Sequence, residues 1–447
     1  MKISVIGCGY VGLVTAACLA ELGHEVLGYD DDPRKQAVFA AGGLPLYEPH
    51  LEEIVARNRQ AGRLRFSRET AEAYNFPEVV FVCVNTPALP TGDSDLSALG
   101  RVARHVAAHA THELLLVTKS TVPVRTAPTL SERLKAERPD GRFEVASNPE
   151  FLREGSAVQD FLHPHRIVLG VASERAERAL RALYQPLLER RYHCPLHQPC
   201  TAPAPPVVVT DPVTSELIKH AANSLLALRV SYVNVLADLC ELCGADVEKV
   251  VEALGLDPRI GPHYLRPGLG FGGVCLPKDV QAFRRLAEQQ GYDFSLLWEV
   301  ERINLERVGR FLEKARGLLG GFAGRTVALL GLSFKPNTDD IRAAPALAVI
   351  ETLVRERAAV RACDPQAMEK MRARFPQVAY LRDPYEAARG ADCLLLVTDW
   401  EEFRQLDWLR LGAGMKRRLV VDGRNALDPA RLQAAGFTYR GMGRPPY

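Results

Sequence analysis

Cys275 lies in a segment in which residue types and spacing both suit covalent catalysis. The segment Gly268–Asp279 reads GLGFGGVCLPKD, and its four glycines let a ligand approach the backbone closely. Pro277 suits the first turn of a helix, so we expect Cys275 just ahead of a helix N-terminus. There the helix dipole and Lys278 favour a thiolate, which is the nucleophilic form of cysteine. The segment therefore indicates a reactive thiolate at Cys275 rather than a buried structural cysteine.

Two further polar residues, Lys219 and Asn223, are four positions apart in an apolar helical pattern. Residues at this spacing share one helix face. Most helical lysines are simply solvated, but Lys219 lies among the apolar residues Leu217, Ile218, Ala221 and Ala222. We therefore interpret Lys219 and Asn223 as candidate site residues rather than as a solvated helix surface.

A glycine motif at the N-terminus predicts a dinucleotide site. Gly7, Gly9 and Gly12 form GxGxxG between a strand and a helix, and Asp30 ends the next strand. The glycines allow a tight turn, close approach of a pyrophosphate and close helix–strand packing, while the acidic residue accepts the ribose hydroxyls. A carboxylate at this point disfavours a 2′-phosphate, so the pattern predicts NAD rather than NADP. Lys35 and its neighbour Arg34 leave NADP open as the alternative.

Polar loops follow three further strands of the same predicted sheet. They read Asn85-Thr86-Pro87, Lys119-Ser120-Thr121-Val122-Pro123 and Asn148-Pro149-Glu150-Phe151. Each segment on its own could be an ordinary turn that ends a strand, with no role in binding. The carboxyl ends of strands in a doubly wound sheet line the ligand crevice, so three such loops in succession indicate a site at that edge.

The elements that carry these residues form a loose repeat. Strands alternate with helices from residue 2 and again from Arg325, which predicts an α/β chain with two Rossmann-like, doubly wound domains. Between them, Val213 to about Leu242 has no Gly or Pro and predicts one helix long enough to offer a dimerisation face. We expect an NAD-binding domain over residues 1–200, a central helical domain over 207–319 and a C-terminal domain over 325–447.

Composition narrows the class of protein. The 447 residues carry a net charge of +2 with 25% charged residues, so neither nucleic acid nor an anionic membrane is an expected partner. The uncharged stretch after Lys2 resembles a signal peptide but is interrupted by glycines, so we expect a soluble, cytoplasmic enzyme. Ten cysteines do not make a disulfide scaffold. Cys194 and Cys200 lie in a Pro-rich connection, and the sequence indicates no role for them.

Taken together, these motifs resemble the UDP-glucose 6-dehydrogenase family of nucleotide-sugar dehydrogenases over nearly the whole chain. The matching segments are GCGYVG at 7–12, VNTP at 84–87, STVP at 120–123, NPEFLREG at 148–155, GFGGVCLPKD at 270–279 and GLSFKPNTDDIR at 331–342. Val274 departs from the family, which usually has serine beside the cysteine. The resemblance implies an NAD-binding Rossmann domain, a helical dimerisation core and a C-terminal domain for the nucleotide sugar.

Carried over position by position, the resemblance implies catalytic, cofactor-binding and substrate-binding residues. The catalytic group comprises the nucleophile Cys275, the oxyanion stabiliser Lys219, the pair Asn223 and Asp279 that holds water and tunes charge, and Thr121 and Glu150 for the hydrolytic water. The cofactor-binding group comprises Gly7, Gly9, Tyr10, Val11, Gly12, Asp30, Lys35, Thr86, Thr121, Glu154, Lys278 and Arg342. The substrate-binding group comprises Glu150, Phe151, Leu152, Lys219, Asn223, Arg259, Tyr264, Arg266, Gly272, Phe334, Lys335 and Arg424.

The implied reaction is a four-electron oxidation of UDP-glucose to UDP-glucuronate that uses two NAD and needs no metal. Hydride removal from C6 gives an aldehyde, a thiolate adds to it, and a second oxidation leaves a thioester for hydrolysis. The resemblance also implies a homodimer, or a higher homo-oligomer, in which Arg259 reaches a neighbouring subunit's substrate.

Three alternatives to this reaction stay open. A GDP-mannose 6-dehydrogenase or another nucleotide-hexose 6-dehydrogenase is one. The Arg266–Gly268 stretch resembles the GDP-mannose enzymes, whereas Asp257–Gly261 favours UDP-glucose. A simple hydroxyacid dehydrogenase would need neither Cys275 nor a second Rossmann-like domain. A nucleotide sensor that had lost catalysis would be expected to lack part of the catalytic group.

Overall fold

The computed structural model describes residues 1–197 and 199–445. The chain divides into two compact units, Met1–Ala222 and Asn223–Tyr447. The division into three domains at 1–200, 207–319 and 325–447 stays a prediction.

The first unit alternates strands with helices. Its strands are β1 (Lys2–Ile6), β2 (Glu25–Tyr29), β3 (Leu64–Ser67), β4 (Val79–Val82), β5 (Leu114–Thr118), β6 (Phe143–Ser147), β7 (Ile167–Gly170) and β8 (Val207–Thr210). Its helices are α1 (Tyr10–Glu21), α2 (Pro33–Ala40), α3 (Leu51–Gln60), α4 (Thr70–Asn75), α5 (Ser97–His109), α6 (Thr126–Glu137), α7 (Ala157–Leu162) and α8 (Glu174–Leu188).

These strands form one sheet in the order β3-β2-β1-β4-β5-β6-β7-β8. All neighbours pair in parallel except β6 and β7, which are antiparallel and meet at Ser147 and Gly170. The central strands are buried, as expected for a sheet with helices on both faces. The strand order reverses between β1 and β4, which is where a doubly wound sheet binds its ligand. The predicted fold class is confirmed for this unit.

The second unit contains another sheet, in the order β11-β10-β9-β12-β13-β14, with parallel pairing between neighbours. Its strands are β9 (Thr326–Leu330), β10 (Ala359–Cys363), β11 (Ala379–Tyr380), β12 (Cys393–Leu396), β13 (Leu419–Asp422) and β14 (Thr438–Arg440). The same reversal of strand order occurs between β9 and β12, so the second Rossmann-like sheet is also confirmed.

The helices that follow residue 211 include the long one that the sequence predicts. They are α9 (Pro212–Cys243), α10 (Val247–Leu256), α11 (Cys275–Gln289), α12 (Ser295–Leu319), α13 (Pro345–Arg355), α14 (Met368–Arg374), α15 (Pro384–Ala388), α16 (Glu401–Arg404), α17 (Trp408–Gly414) and α18 (Pro429–Ala434). The boundary between the units falls inside α9, after Ala222.

Helix α9 begins as its sequence predicts. The Asp211 Oδ1 accepts a hydrogen bond from the Thr214 backbone N–H at 2.9 Å, and the Asp211 carbonyl accepts one from Ser215 at 3.1 Å. Asp211 therefore caps the helix, and Pro212 takes the first helical position, where its missing N–H has no intrahelical partner to lose. Within the described residues, no helix is long and apolar enough to cross a membrane.

Helix α11 begins slightly earlier than the sequence suggests. The sequence predicts Cys275 just ahead of the helix, whereas the helix begins at Cys275 with Val274 as its N-cap residue. Pro277 is then the third residue of the helix, and the first turn tolerates it because those N–H groups have no intrahelical acceptor. Cys275 is therefore part of the first turn rather than ahead of it.

Candidate active site

The glycine loop between β1 and α1 fits a dinucleotide. A Cβ atom added to Gly7 would lie 2.8 Å from the Cys83 backbone, and one added to Gly12 would lie 1.8 Å from the Gly7 carbonyl oxygen. Packing within the protein therefore requires both of these glycines. A Cβ atom on Gly9 would have only the Asn85 side chain within 4 Å, at 3.9 Å, among the described residues. Gly9 thus borders open space, as a residue beside a bound pyrophosphate should.

Asp30 connects the end of β2 to this loop. Its Oδ2 accepts a hydrogen bond from the Cys8 backbone N–H at 2.8 Å and lies 2.8 Å from the Lys35 ammonium, while its Oδ1 accepts one from Asp32 at 3.0 Å. The carboxylate is buried. It is fixed at the strand end where an adenine ribose would bind, and Lys35, another predicted cofactor residue, contacts it directly.

Tyr10 and Val11 begin helix α1, and Tyr10 connects this helix to the loop that contains Glu154. The Tyr10 hydroxyl accepts a hydrogen bond from the Gly155 backbone N–H at 2.7 Å. The Glu48 carboxylate accepts two more from the same loop, from Gly155 and Ala157, both at 2.6 Å. The sequence did not indicate Glu48, whose role is to position this loop.

The loops after β4 and β5 are joined by hydroxyl hydrogen bonds. Thr86 Oγ1 donates to the Thr121 carbonyl at 2.7 Å, and Ser120 Oγ donates to the Val84 carbonyl at 2.6 Å. The structure therefore brings together two predicted site residues, Thr86 and Thr121, from adjacent strand ends.

Helix α9 holds the loop that follows β5. The Glu216 carboxylate accepts hydrogen bonds from the backbone N–H groups of Arg125 at 2.6 Å and Ala127 at 2.7 Å, at the start of α6. One turn later, His220 Nε2 lies 2.9 Å from the Val122 carbonyl oxygen. Burial raises the pKa of Glu216 to about 7. The STVP loop is thus held by residues that the sequence did not indicate.

Lys219, between these two residues, reaches the loop that follows β6. Its Nζ lies 2.8 Å from Glu150 Oε1, and both side chains are 4% exposed. The other carboxylate oxygen of Glu150 accepts a hydrogen bond from the Leu152 backbone N–H at 2.6 Å. The structure therefore pairs the predicted oxyanion stabiliser with the predicted base.

Phe151, a predicted substrate residue, is in contact with two cations. The Lys219 ammonium lies 5.5 Å from the centroid of its ring, and the Arg166 guanidinium carbon lies 3.6 Å from it. Cations over an aromatic face are attracted by the ring quadrupole, so these contacts orient the ring beside the Lys219–Glu150 pair.

A buried polar network supports the residues just before Glu150. Asn148 Oδ1 accepts hydrogen bonds from Lys119 Nζ at 3.0 Å and from the Tyr184 hydroxyl at 2.6 Å. Asn148 Nδ2 donates to the Val168 carbonyl at 2.8 Å. Burial lowers the pKa of Lys119 to about 8. The sequence placed Lys119 and Asn148 in site loops but did not indicate that they contact each other, because they follow two different strands.

In the second unit, the structure brings Asn223 and Asp279 together. Asn223 Nδ2 donates to Asp279 Oδ2 at 2.6 Å, and Lys278 Nζ lies 3.1 Å from Asp279 Oδ1. Asp279 is fully buried. Cys275 lies one helical turn earlier, at the first residue of α11, and is exposed. The N-terminal end of a helix carries partial positive charge, which stabilises a thiolate.

The glycine loop before Cys275 packs against residues predicted to contact the sugar nucleotide. A Cβ atom on Gly272 would lie 2.3 Å from the Ala343 carbonyl oxygen, and one on Gly273 would lie 2.9 Å from the Phe334 ring. The Gly273 backbone N–H donates to the Arg342 carbonyl at 3.0 Å. These contacts require glycine and place Gly272, Phe334 and Arg342 at one locus.

Arg424 ties this locus to the second sheet. Its two Nη atoms donate to the carbonyls of Gly270 and Phe334, both at 3.2 Å, and its Nε donates to Val397 at 2.8 Å. The Lys335 ammonium lies 5.3 Å from the centroid of the Phe334 ring. Arg424 and Lys335 are therefore grouped with Phe334, as their shared predicted role requires.

Other predicted substrate residues are more exposed. Arg259 has an 87% exposed side chain, paired with Asp257 at 2.6 Å, while Arg266 is exposed and Tyr264 half-buried with a φ of 61°. The predicted catalytic residues divide between the units, with Thr121, Glu150 and Lys219 in the first and Asn223, Cys275 and Asp279 in the second.

Comparisons with known proteins agree with the two Rossmann-like sheets and the glycine loop. Models of the UDP-glucose/GDP-mannose dehydrogenase family match as its NAD binding domain over residues 1–188, its central domain over 213–306 and its UDP binding domain over 328–429. The chain is similar to the UDP-glucose 6-dehydrogenase of Pseudomonas aeruginosa, at 44% identity covering 100% of this chain and 98% of the relative. It is similar to that of Rhizobium meliloti at 42% identity, covering 100% of both.

Among solved structures, a UDP-glucose dehydrogenase from Pyrobaculum islandicum superposes with a TM-score of 0.89 at 38% identity, covering 99% of this chain and 98% of that one. A UDP-D-ManNAc dehydrogenase from Pyrococcus horikoshii has a TM-score of 0.83 at 28% identity, covering 100% of both. The first unit carries an NAD-binding domain, and NAD is the cofactor. The chain belongs to the UDP-glucose/GDP-mannose dehydrogenase family.

Proposed function

We propose that the protein oxidises the C6 hydroxymethyl group of UDP-glucose to the carboxylate, forming UDP-glucuronate, through a covalent intermediate on Cys275. The observation that carries the mechanism is the position of Cys275, exposed at the first residue of helix α11. Full-length similarity to two UDP-glucose 6-dehydrogenases, together with the UDP binding domain, supports the choice of substrate. NAD, when bound, accepts hydride from C6 in each of two oxidations.

Cys275 has the nucleophilic role. Its thiolate adds to the C6 aldehyde, which forms a C–S bond and places negative charge on the former carbonyl oxygen. The product of the second oxidation is a thioester, and water attacks its carbonyl carbon. The C–S bond then breaks, which releases the thiolate and the carboxylic acid.

Glu150 and Lys219 have complementary roles in this scheme. The Lys219 ammonium stabilises the negative oxygen of each tetrahedral species, because a cation close to a developing oxyanion lowers its free energy. Glu150 removes a proton from the attacking water. Each of its oxygens accepts one contact, from Lys219 and from the Leu152 N–H, and each carboxylate oxygen has a further lone pair for water.

Asn223 and Asp279 act as a second polar pair beside Cys275. Their 2.6 Å hydrogen bond fixes the Asn223 amide, and Lys278 balances the buried Asp279 charge. An amide held in this way can orient a water molecule or a substrate hydroxyl. Thr121, on the loop held by Glu216, is assigned to the same hydrolytic water as Glu150.

A direct assay tests this function against its alternatives. Purified protein is incubated with NAD and separately with UDP-glucose, GDP-mannose and UDP-N-acetylmannosamine, and NADH is followed by absorbance. We expect activity with UDP-glucose and about two NADH for each acid formed, since the alcohol-to-acid oxidation removes four electrons. About one NADH for each product would contradict the acid as product, and faster turnover of another sugar would contradict the substrate.

A further inference from the structure

Two cysteines and two histidines of the first unit converge at a place that the proposed reaction does not use. His163, Cys194, His197 and Cys200 each offer one ligand atom, and these four atoms all lie within 4.8 Å of one another. Both cysteines are free thiols. Three of the four residues follow the pattern Cys-x-x-His-x-x-Cys, and the fourth precedes them by 31 residues.

The geometry around His163 Nε2 does not suit hydrogen bonding alone. Cys200 Sγ lies 3.2 Å from this nitrogen, and Cys194 Sγ lies 3.5 Å from it. A neutral imidazole nitrogen has one lone pair and accepts at most one S–H, so it cannot accept hydrogen bonds from both thiols. A cation bound by this nitrogen and both sulfurs would satisfy all three atoms.

A tetrahedral metal ion explains this arrangement. With Zn–S distances of about 2.3 Å and Zn–N distances of about 2.0–2.1 Å, the edge between a sulfur and a nitrogen ligand is about 3.5 Å. The distances of 3.2 and 3.5 Å are close to that edge. The ring centroids of His163 and His197 are 5.2 Å apart, so the second imidazole belongs to the same group.

The surrounding structure holds the two ligand segments next to each other. The Leu162 carbonyl, adjacent to His163, accepts hydrogen bonds from Arg190 Nη1 at 3.1 Å and from the Tyr192 hydroxyl at 2.9 Å. Arg190 Nη1 also lies 3.1 Å from the Tyr192 hydroxyl oxygen. The end of α7 is thus fastened to the segment that leads into Cys194, so the ligands are brought together by contacts that need no ion.

We propose that His163, Cys194, His197 and Cys200 form a structural zinc site. Two thiolates and two imidazoles in a tetrahedral set select zinc over calcium or magnesium, which prefer oxygen ligands. Four protein ligands leave no open position for water or substrate, which is the mark of a structural rather than a catalytic site. Two thiolates also balance the charge of the ion.

The site would fasten the connection between α8 and β8. This connection covers residues 189–206, and β8 pairs in parallel with β7, the strand that follows His163. Zinc would therefore join the segments that lead into two adjacent strands of the NAD-binding sheet. An ion bound to the folded chain but not to the unfolded chain stabilises the fold.

Metal content of the full chain tests the proposal independently of dehydrogenase activity. Protein purified without chelator, with a reductant that does not bind zinc, is dialysed and analysed for zinc by mass spectrometry. We expect about one zinc per chain in the unmutated protein and in Cys243→Ser, which removes an exposed cysteine elsewhere. Cys194→Ser and Cys200→Ser should each reduce the zinc content to near zero.

Cobalt substitution identifies the ligands. Protein stripped of metal and titrated with Co²⁺ should show thiolate-to-cobalt charge transfer and the visible bands of tetrahedral cobalt, and Cys194→Ser should remove both. The exposed His197 allows a milder variant, because His197→Gln need not disturb folding. We expect it to weaken Zn²⁺ binding more than about a hundredfold in competition with a chromophoric chelator.

Several outcomes would overturn the site. One is an unmutated chain that binds neither Zn²⁺ nor Co²⁺ at micromolar concentration with both thiols reduced. Another is zinc content that is unchanged in Cys194→Ser and Cys200→Ser. A third is a Cys194–Cys200 disulfide in the reduced, zinc-supplemented protein. Chelator treatment should also lower the unfolding temperature of the unmutated protein and leave that of Cys200→Ser unchanged. Equal effects on both proteins would likewise count against the site.

Discussion

Lys219 Nζ lies 2.8 Å from Glu150 Oε1, and each side chain is only 4% exposed. The two residues are 69 positions apart and come from helix α9 and from the loop after β6. A buried ion pair contributes little net stability, but removal of one partner leaves a buried charge at a cost of about 3–5 kcal/mol. Such an arrangement is more easily understood as functional, because two apolar residues would pack there at lower cost.

The Glu150→Gln variant should separate oxidation from hydrolysis. The Cys275 thiolate still adds to the aldehyde, but the water that attacks the thioester lacks its base. We expect a burst of up to about two NADH per site, followed by stalled turnover. Intact-protein mass spectrometry should show an acyl adduct on Cys275.

The controls for this variant address folding and chemistry separately. Glu132→Gln makes the same chemical change at an exposed position of α6 and should turn over normally. Thermal unfolding shows whether loss of the ion pair alone has disrupted the first unit. The adduct should be absent from the Glu150→Gln, Cys275→Ser double variant, and normal turnover by Glu150→Gln would contradict its role as the base.

The Cys275→Ser variant should lose acid formation by several orders of magnitude. A serine hydroxyl stays protonated at neutral pH, so helix α11 presents a much weaker nucleophile. NAD and UDP-glucose should both still bind, as measured by calorimetry. Cys243→Ser, at another exposed cysteine, is the matched control. Acid formation at the unmutated rate by Cys275→Ser would rule out the thioester mechanism.

The Asp30→Ala variant should bind NAD more weakly and discriminate less against NADP. The variant lacks the carboxylate that accepts hydrogen bonds from the ribose hydroxyls. Loss of a charge-assisted hydrogen bond should raise the KM for NAD roughly tenfold. The variant also loses the Cys8 contact, so its unfolding temperature must be compared. Asp31→Ala removes the exposed neighbouring carboxylate and should change neither the KM for NAD nor the KM for NADP. An unmutated enzyme that already uses NADP as well as NAD would refute the role of Asp30.

Arg259 allows a test of assembly, since its side chain is 87% exposed. If Arg259 serves the substrate of a neighbouring subunit, an obligate dimer is required. Arg259→Ala and Cys275→Ser proteins should each be nearly inactive, and co-expressed hybrid dimers should regain activity because one of their two sites is intact. Hybrids without regained activity, or a fully active monomer in light scattering, would contradict the dimer proposal.

Glu216 makes stability depend on pH. Burial raises the pKa of its carboxyl from 4.5 to about 7, so between these values the folded state binds more protons than the unfolded state. Its stabilising contribution is complete below pH 4.5 and is lost as pH rises to about 7. The shift corresponds to about 3 kcal/mol. The unfolding temperature of Glu216→Gln, relative to that of the unmutated protein, should therefore be higher at pH 8 than at pH 5. A difference in unfolding temperature that is the same at both pH values would contradict this.

The alternation of strands and helices was readable from the sequence because it is locally encoded. Apolar runs that end in polar loops mark buried parallel strands, and the absence of Gly and Pro between Val213 and Leu242 marks helix α9. The start of α11 was less readable. Proline is compatible with any position of a first helical turn, so Pro277 alone does not define where that turn begins.

Several contacts within the site could not be read from the chain. The sequence did not indicate Glu216, and it placed Lys119 in a site loop without indicating its partner. Only folding places Glu216 at the Arg125 backbone and Lys119 at the Asn148 side chain. The zinc ligands show the same limit. The sequence indicated no role for Cys194 and Cys200, because His163, which lies beside them in the fold, precedes them at no spacing typical of a zinc finger.

By itself, the sequence determined the residue types available for chemistry and the elements that carry them, because glycine turns, caps and apolar periodicity act over a few residues. The tertiary structure alone decided which of these residues meet. The partners of Glu150 and of His163 are set by the order of strands in a sheet and by the helices packed on it. Those contacts join residues tens of positions apart, and no local pattern encodes such distances.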